Sequence, residues 1–429
     1  MTDPHFPDLH RVHRAGWIND PNGIMRIGDR WHVFFQYNPH SARHDRIRWG
    51  HVSSPDLVSW REEPMGPQPR DGEADADGCW SGVGLVEDGV PTVVYSGVDG
   101  IENHRSRVVV QRSHDGGATW QPSPGVAADI PAEPDLDGIR DPFLFEAAGR
   151  KLALQGAGLR RQDGTLVPAV LVFDRSDLDQ WRYLGPLLTG DDARAAHLAP
   201  ADLWECPQLV RIGGRWVLIL SRWAAIGGPD GGNALNGVAY LVGDLDADAE
   251  VPTFHPTAGG PADLGPDFYA PQAVIDRDRV LLWGWSWEGK ARTQDQTDTQ
   301  AWAGCLTFPR ELALTGDTLA ARLPRELNTL VGERIEPVDG SAEDVHLEHP
   351  ARAITRSANG VRVTLQHRDG TESVLAEVTD GPVTVLVDAS ILEVLPAADA
   401  PRTVRVYPED GERLRITGAE ITAHRLRLP

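Results

Sequence analysis

The sequence predicts an all-β protein. A five-bladed β-propeller spans residues 1–324 and a small β-sandwich spans 325–429. Three observations predict it. Short β-rich apolar runs recur throughout, and helical periodicity is almost absent. A unit of about sixty residues repeats: SPDLVSW ends at Trp60, SHDGGATW at Trp120 and RSDLDQW at Trp181, intervals of 60 and 61. Tryptophan, fourteen in all, disappears beyond Pro324, where short alternating strands take over.

The elements follow in order. GIMRIGDRW leads into WHVFFQ at 31–36, and GLVEDGV into PTVVYS at 91–96. FLFEAAGRK leads into KLALQ at 151–155, LVRIGGRW into WVLILS at 216–221, and AVIDRDR into VLLWG at 280–284. These runs start 60, 60, 65 and 64 residues apart. The turns between carry Gly-Asp, Asp-Gly, Gly-Arg, Gly-Gly and Asp-Arg, which is hairpin chemistry. Five such units make five blades; a solenoid needs shorter and more numerous repeats. The tail, with runs such as GVRVTLQHRD and PVTVLVDASILEVLP, reads as about 100 residues of sandwich.

Composition narrows the function. In 429 residues, 41% are apolar and 24% charged, as in an ordinary globular chain. No run approaches eighteen apolar residues, and no apolar signal region precedes Trp17, so a cytoplasmic location is expected. A net charge of −22 argues against nucleic-acid and membrane partners and favours a neutral substrate. Cys79, Cys206 and Cys305 are far apart and odd in number, and no HExxH pattern occurs. No metal and no cofactor is expected. Most tryptophans suit sheet packing, and a few suit stacking on sugar rings. Oligomeric state has no signature here.

Acidic residues recur at one phase of the repeat. The first strands carry Asn19-Asp20-Pro21, Arg140-Asp141-Pro142, Glu205-Cys206-Pro207 and Tyr269-Ala270-Pro271, with Trp80-Ser81-Gly82 in the second unit. Asp20, Asp141 and Glu205 stand 11, 10 and 11 residues before the next strand. Each motif alone is an ordinary turn former. Together they place three carboxylates at one mouth of a propeller channel. Crowded like charges force pKa values apart, so that one carboxyl stays ionised while another holds a proton. Glycoside hydrolysis requires that separation.

The chain resembles glycoside hydrolase family 32, the invertases, inulinases and levanases. The resemblance rests on Trp17-Ile18-Asn19-Asp20-Pro21-Asn22-Gly23, Gln36-Tyr37-Asn38-Pro39, Trp49-Gly50-His51, Trp80-Ser81-Gly82, Arg140-Asp141-Pro142 and Trp204-Glu205-Cys206-Pro207. It continues through Tyr269-Ala270-Pro271-Gln272, Trp283-Gly284-Trp285, Trp302-Ala303-Gly304 with Pro309-Arg310-Glu311, and Val387-Asp388-Ala389-Ser390 with Ile391-Leu392-Glu393-Val394. The family's propeller-plus-sandwich architecture agrees with the repeat.

The resemblance implies that Asp20 is a nucleophile toward C2 of a β-fructofuranosyl unit. It implies that Glu205 is the acid/base and that Asp141 stabilises the transition state, with retention of configuration. Trp17, Asn19, Gln36, Trp80, Ser81, Arg140, Tyr269 and Trp285 then bind the sugar, Trp17 and Trp285 as apolar walls. Arg140, Cys206 and Tyr269 are the neighbours expected to tune Glu205. His51, Cys79 and Cys305 are expected to be structural.

The implied function is an exo-acting β-fructofuranosidase on sucrose or short fructo-oligosaccharides. Many relatives carry an aromatic residue in the stretch corresponding to 40–48, and this one is read as having none. Its Arg43, Arg46 and Arg48 suit either a phosphate, as in a sucrose-6-phosphate hydrolase, or a solvated loop. A fructosyltransferase and a non-catalytic sugar-binding propeller are the remaining readings.

Overall fold

The computed structural model describes residues 3–100, 105–228, 232–289, 292–338 and 342–429. Five antiparallel four-stranded meanders come first. Their first strands are Gly16–Ile27, Gly78–Glu87, Leu136–Ala147, Leu203–Ile212 and Tyr269–Asp276. The second strands are Arg30–Asn38, Val90–Val98, Arg150–Arg160, Arg215–Ala224 and Arg279–Ser286, each beginning one residue before an apolar run identified above. Three of the five hairpins place both central residues at positive φ: Asp88-Gly89, Ala148-Gly149 and Gly213-Gly214. That geometry matches the strand twist.

The sixty-residue marker is a turn between third and fourth strands. Asp56 Oδ1 accepts the Val58 and Ser59 amides, and Asp115 Oδ1 accepts those of Ala118 and Thr119. The closing indoles of Trp60 and Trp181 donate back to the carbonyls of Leu57 and Leu178.

Consecutive first strands touch one another, and the fifth touches the first. A central void of about 10 Å³ is lined by residues of all five, Pro21, Gly82, Pro142, Cys206 and Pro271 among them. Trp302–Ala303 pairs in parallel with Gly16 and Trp17, joining late chain to the first sheet. Sheets packed on both faces need apolar residues at successive positions, which is why Val108, Val109 and Val110 are all buried.

After the fifth sheet ends at Arg322, a 3₁₀ turn at Arg325–Leu330 leads to two further sheets of six and four strands. They share one core, including Val345, Val363 and Ile416 from one face and Val385, Val387 and Leu392 from the other.

A buried ion cluster joins this sandwich to the fifth meander. The Arg310 side chain is 1% exposed and bonds Asp263 (2.7 Å), Glu393 (2.6 Å) and the Thr403 hydroxyl (2.6 Å). His10, in the N-terminal segment, bridges Asp388 and Glu393 at 2.9 and 3.0 Å. Removing one member of such a cluster strands the others without water. Arg310→Ala is therefore expected to lower stability by about 3–5 kcal/mol, read by denaturant unfolding. A loss below about 1 kcal/mol would show that the cluster does not hold the two parts together.

Candidate active site

All five first strands carry a bulge at one level. The pairing register shifts between Ile18 and Pro21, Cys79 and Gly82, Arg140 and Phe143, Glu205 and Gln208, and Tyr269 and Gln272. Asp141, Cys206 and Ala270 occupy these bulges with φ of 62°, 48° and 45°. A bulge of this kind ordinarily uses glycine. Each amide freed from its own ladder finds a partner on the preceding sheet. Asp141 N donates to Ser96 Oγ (2.8 Å), Cys206 N to Asp141 Oδ2 (3.0 Å) and Ala270 N to Ser221 Oγ (3.1 Å). The carboxylates thus sit at three adjacent steps of the bulge rather than one: Asp20 and Asp141 within it, Glu205 just before it.

A pocket of about 560 Å³ opens over these bulges. Asp20, Asp141 and Glu205 line it together with Trp17, Asn19, Gln36, Trp80, Arg140, Tyr269 and Trp285. Ser81 lies behind this wall. Its hydroxyl donates to Asp20 Oδ2 at 2.5 Å and accepts from Gln36 Nε2 at 2.6 Å. Gln36 Nε2 also reaches Asp20 Oδ2 (3.1 Å), and Asn19 Nδ2 donates to Oδ1 (3.0 Å). The Trp17 indole donates to Asn19 Oδ1 (2.8 Å), which fixes that amide.

Both oxygens of Glu205 are engaged. Arg140 donates to Oε1 at 2.9 and 2.8 Å, and the Tyr269 hydroxyl donates to Oε2 at 2.6 Å. Burial keeps the Tyr269 phenol well above its ordinary pKa, so it remains a donor. The Cys206 thiol is likewise pushed well up by burial and the three acids around it, and points its sulfur at Asp141 Oδ2 (3.4 Å).

Among the described lining residues, three carboxylates share one guanidinium. Burial, followed by the field of Glu205, raises the Asp141 carboxyl from 3.8 to about 7. Burial raises Asp20 to about 6 against the hydroxyl of Ser81, and Glu205 adds to the rise. Carboxyls poised this close to neutrality suit proton-coupled chemistry. Among the described residues, no cluster of His, Cys, Asp and Glu suits a metal ion.

Sequence reasoning missed six described wall residues: Gly232, Asn233 and Leu235, and three that carry rings. Trp223 and Trp287 line the pocket, and Arg140 lies over the Trp223 ring at 5.8 Å. His44 is the third. The stretch read as lacking an aromatic ring supplies one: His44 meets Trp17 and Trp80 edge-on at 6.1 and 5.8 Å and bonds Gln36 Oε1 at 3.3 Å. The arginines around it do not line the pocket. Arg43 pairs with Asp298 and Arg46 with Asp71, which supports the solvated-loop reading. His51 bonds His32 (2.8 Å) and stacks on Phe34, away from the pocket; Cys79 and Cys305 are fully buried.

The model for the glycosyl hydrolases family 32 N-terminal domain matches residues 10–322. The chain belongs to glycoside hydrolase family 32. A sucrose-6-phosphate hydrolase from Klebsiella pneumoniae is 34% identical over 354 residues, 78% of this chain and 70% of that protein. A raffinose invertase from Escherichia coli is 30% identical over 342 residues, 76% of this chain and 66% of its own. Among solved structures, a family 32 β-fructofuranosidase from Bombyx mori shares the fold with a TM-score of 0.79 at 22% identity, covering 99% of this chain and 94% of that one. A Lactobacillus gasseri sucrose-6-phosphate hydrolase also gives 0.79, at 21% identity over 100% and 94%.

The raised Asp141 carboxyl has a thermodynamic sign. Below pH 4 it is protonated in both folded and unfolded chains and costs nothing. Between pH 4 and 7 the unfolded chain sheds the proton first, so stability falls as pH rises and levels off above 7. Asp141→Asn cannot ionise and escapes that loss. It is expected to melt about 2 °C or more above the parent at pH 8 and level with it near pH 4. A gain that is the same at both pH values would refute the assignment.

Proposed function

We propose that this chain is a retaining β-fructofuranosidase that cleaves sucrose and short neutral fructo-oligosaccharides. We propose also that its five meanders form a closed five-bladed propeller, residues 1–324, and that 325–429 form a separate sandwich. The observation that carries the activity is one pocket holding Asp20, Asp141 and Glu205 under tryptophan walls. A Bombyx mori relative of the same fold was solved with sucrose bound.

In this reading Asp20 attacks the anomeric C2 of the fructosyl unit. Its Oδ2 is held by Ser81 and Gln36 and its Oδ1 by Asn19, so three donors orient the carboxylate. Glu205 gives a proton to the departing glycosidic oxygen, then takes one from water as the fructosyl–Asp20 ester is cleaved. Arg140 and Tyr269, bonded to opposite oxygens, hold the Glu205 carboxyl in place through both steps. Asp141 accepts hydrogen bonds from fructose hydroxyls as positive charge grows on the ring. Its backbone strain is matched by the Ser96 contact, so its position is fixed before substrate arrives.

Neutral sucrose fits this wall better than a phosphorylated sugar. Arg140 is the single Arg or Lys among the described lining residues, and it lies on Glu205. Free, buried cysteines at 79, 206 and 305 fit a reducing cytoplasm.

Incubation with sucrose is expected to release fructose, and Asp20→Ala to lower the rate at least about a thousandfold. Sucrose 6-phosphate is expected to give a kcat/KM at least tenfold below that of sucrose; the reverse preference would establish the phosphate reading instead. The acid limb of kcat/KM is expected between about pH 6 and 7, where Asp20 and then Asp141 lose their protons. Ser81→Ala removes a donor that favours the Asp20 anion, so the limb moves to higher pH. A limb that stays in place would mean that another group controls it.

A further inference from the structure

The buried Gln36 side chain touches both Asp20 and Ser81 through its Nε2. An amide has two ends of nearly equal size and opposite chemistry. Turned end for end, this one would set Oε1 against Asp20 Oδ2, oxygen against carboxylate. It would also draw the hydrogen of the Ser81 hydroxyl, which has only one to give. Asp20 Oδ2 would then lose both of its donors. The orientation of the Gln36 amide therefore decides whether that oxygen is held or repelled.

His44 holds the other end of that amide. Its Nε2 lies 3.3 Å from Gln36 Oε1. The amide oxygen can only accept, so the ring nitrogen donates. The hydrogens then run one way: from His44 to Gln36, from Gln36 to Ser81, and from Gln36 and Ser81 to Asp20. The chain places the ring by folding back on its own strand. Asn38, two residues beyond Gln36, donates through Nδ2 to Ser41 Oγ and the Arg43 carbonyl, both at 3.0 Å, and its Oδ1 accepts the His40 amide at 3.0 Å. That turn brings residue 44 within reach of residue 36. The loop is also tied from outside, where Gln294 Nε2 donates to the Ala42 carbonyl (3.1 Å) and Arg43 pairs with Asp298. Edge-on contacts with Trp17 and Trp80 hold the imidazole itself.

We infer that His44 is a positioning residue for the nucleophile: it locks the Gln36 amide, and through that amide it sets the direction in which Ser81 gives its hydrogen to Asp20. The inference rests on the hydrolase reading above. It gives a loop residue a part in the rate of bond cleavage rather than in sugar affinity.

The test is steady-state hydrolysis of sucrose by the full chain across pH. His44→Phe keeps a flat ring between the two indoles and removes the donor. It is expected to lower kcat at least about tenfold and to leave KM within about threefold. The acid limb is expected to move to higher pH, because Asp20 loses donors that favour its anion. Glu205, Asp141, Arg140, Tyr269 and Cys206 around Asp20, and Asp45 beside residue 44, are unaltered in this variant. His44→Gln returns an N–H near the place of Nε2 and is expected to recover most of kcat. In a Gln36→Leu background there is no amide to lock, so adding His44→Phe is expected to change kcat less than about twofold. A misfolded variant would instead lose activity in both backgrounds. The inference is overturned by unchanged kcat and limb in His44→Phe, by a loss confined to KM, by His44→Gln performing no better than His44→Phe, or by the same fold-loss in both backgrounds. Wild-type protein that releases no fructose from sucrose overturns the hydrolase reading, and this inference with it.

Discussion

The site depends on hydrogen bonds that run sideways between sheets. Where each first strand bulges, an amide loses its place in its own ladder. An unpaired buried amide is costly. Ser96, Asp141 and Ser221 recover three of these amides from the sheet before. In one stroke this joins neighbouring sheets and fixes the residues that face the pocket. Asp141 does both tasks: one oxygen secures the Cys206 amide, while its own amide is secured by Ser96. The left-handed φ values at Asp141, Cys206 and Ala270 are tolerated because the surroundings over-determine them.

The electrostatics follow from that scaffold. Three acids are held in a buried cluster, and among the described lining residues Arg140 is the one cation set against them. The fold therefore carries an unfavourable charge arrangement, which Ser81, Gln36, Asn19 and Tyr269 offset by donating to carboxylate oxygens. Stability is given up locally so that protons bind near neutral pH. The balancing attraction lies far away, in the Arg310 cluster between the fifth meander and the sandwich. There the carboxylates of Asp263 and Glu393 meet a guanidinium, and Glu393 is held down to about 2 against its burial by Arg310 and His10.

Much of this was legible in the sequence because it is periodic or local. The second strands begin where the apolar runs begin, since strand length and turn chemistry are set by neighbouring residues. Asp20, Asp141 and Glu205 were found because each sits near one place in a repeat, within three adjacent positions at the bulge. The bulges were not legible: nothing in Glu205-Cys206-Pro207 says that Cys206 adopts a glycine-like φ. His44 was passed over because a histidine among arginines reads as a solvated charge, and only the loop's fold turns its ring toward Trp17 and Trp80. Trp223 and Trp287 were hidden among fourteen tryptophans whose roles depend on partners elsewhere in the chain. The ion pairs of Arg43 and Arg46 reach 255 and 25 residues along the sequence, a separation that spacing does not encode.

The strand carrying Asp20 pairs with Trp302–Ala303, nearly 300 residues downstream. During synthesis the earliest functional residue is therefore made first and completed last. A ribosome-bound chain has Asp20, Asp141 and Glu205 in hand well before it has the strand that locks the first sheet. Contacts of such long range form late and slowly. Truncated chains thus carry all three pocket carboxylates without the strand that completes the first sheet.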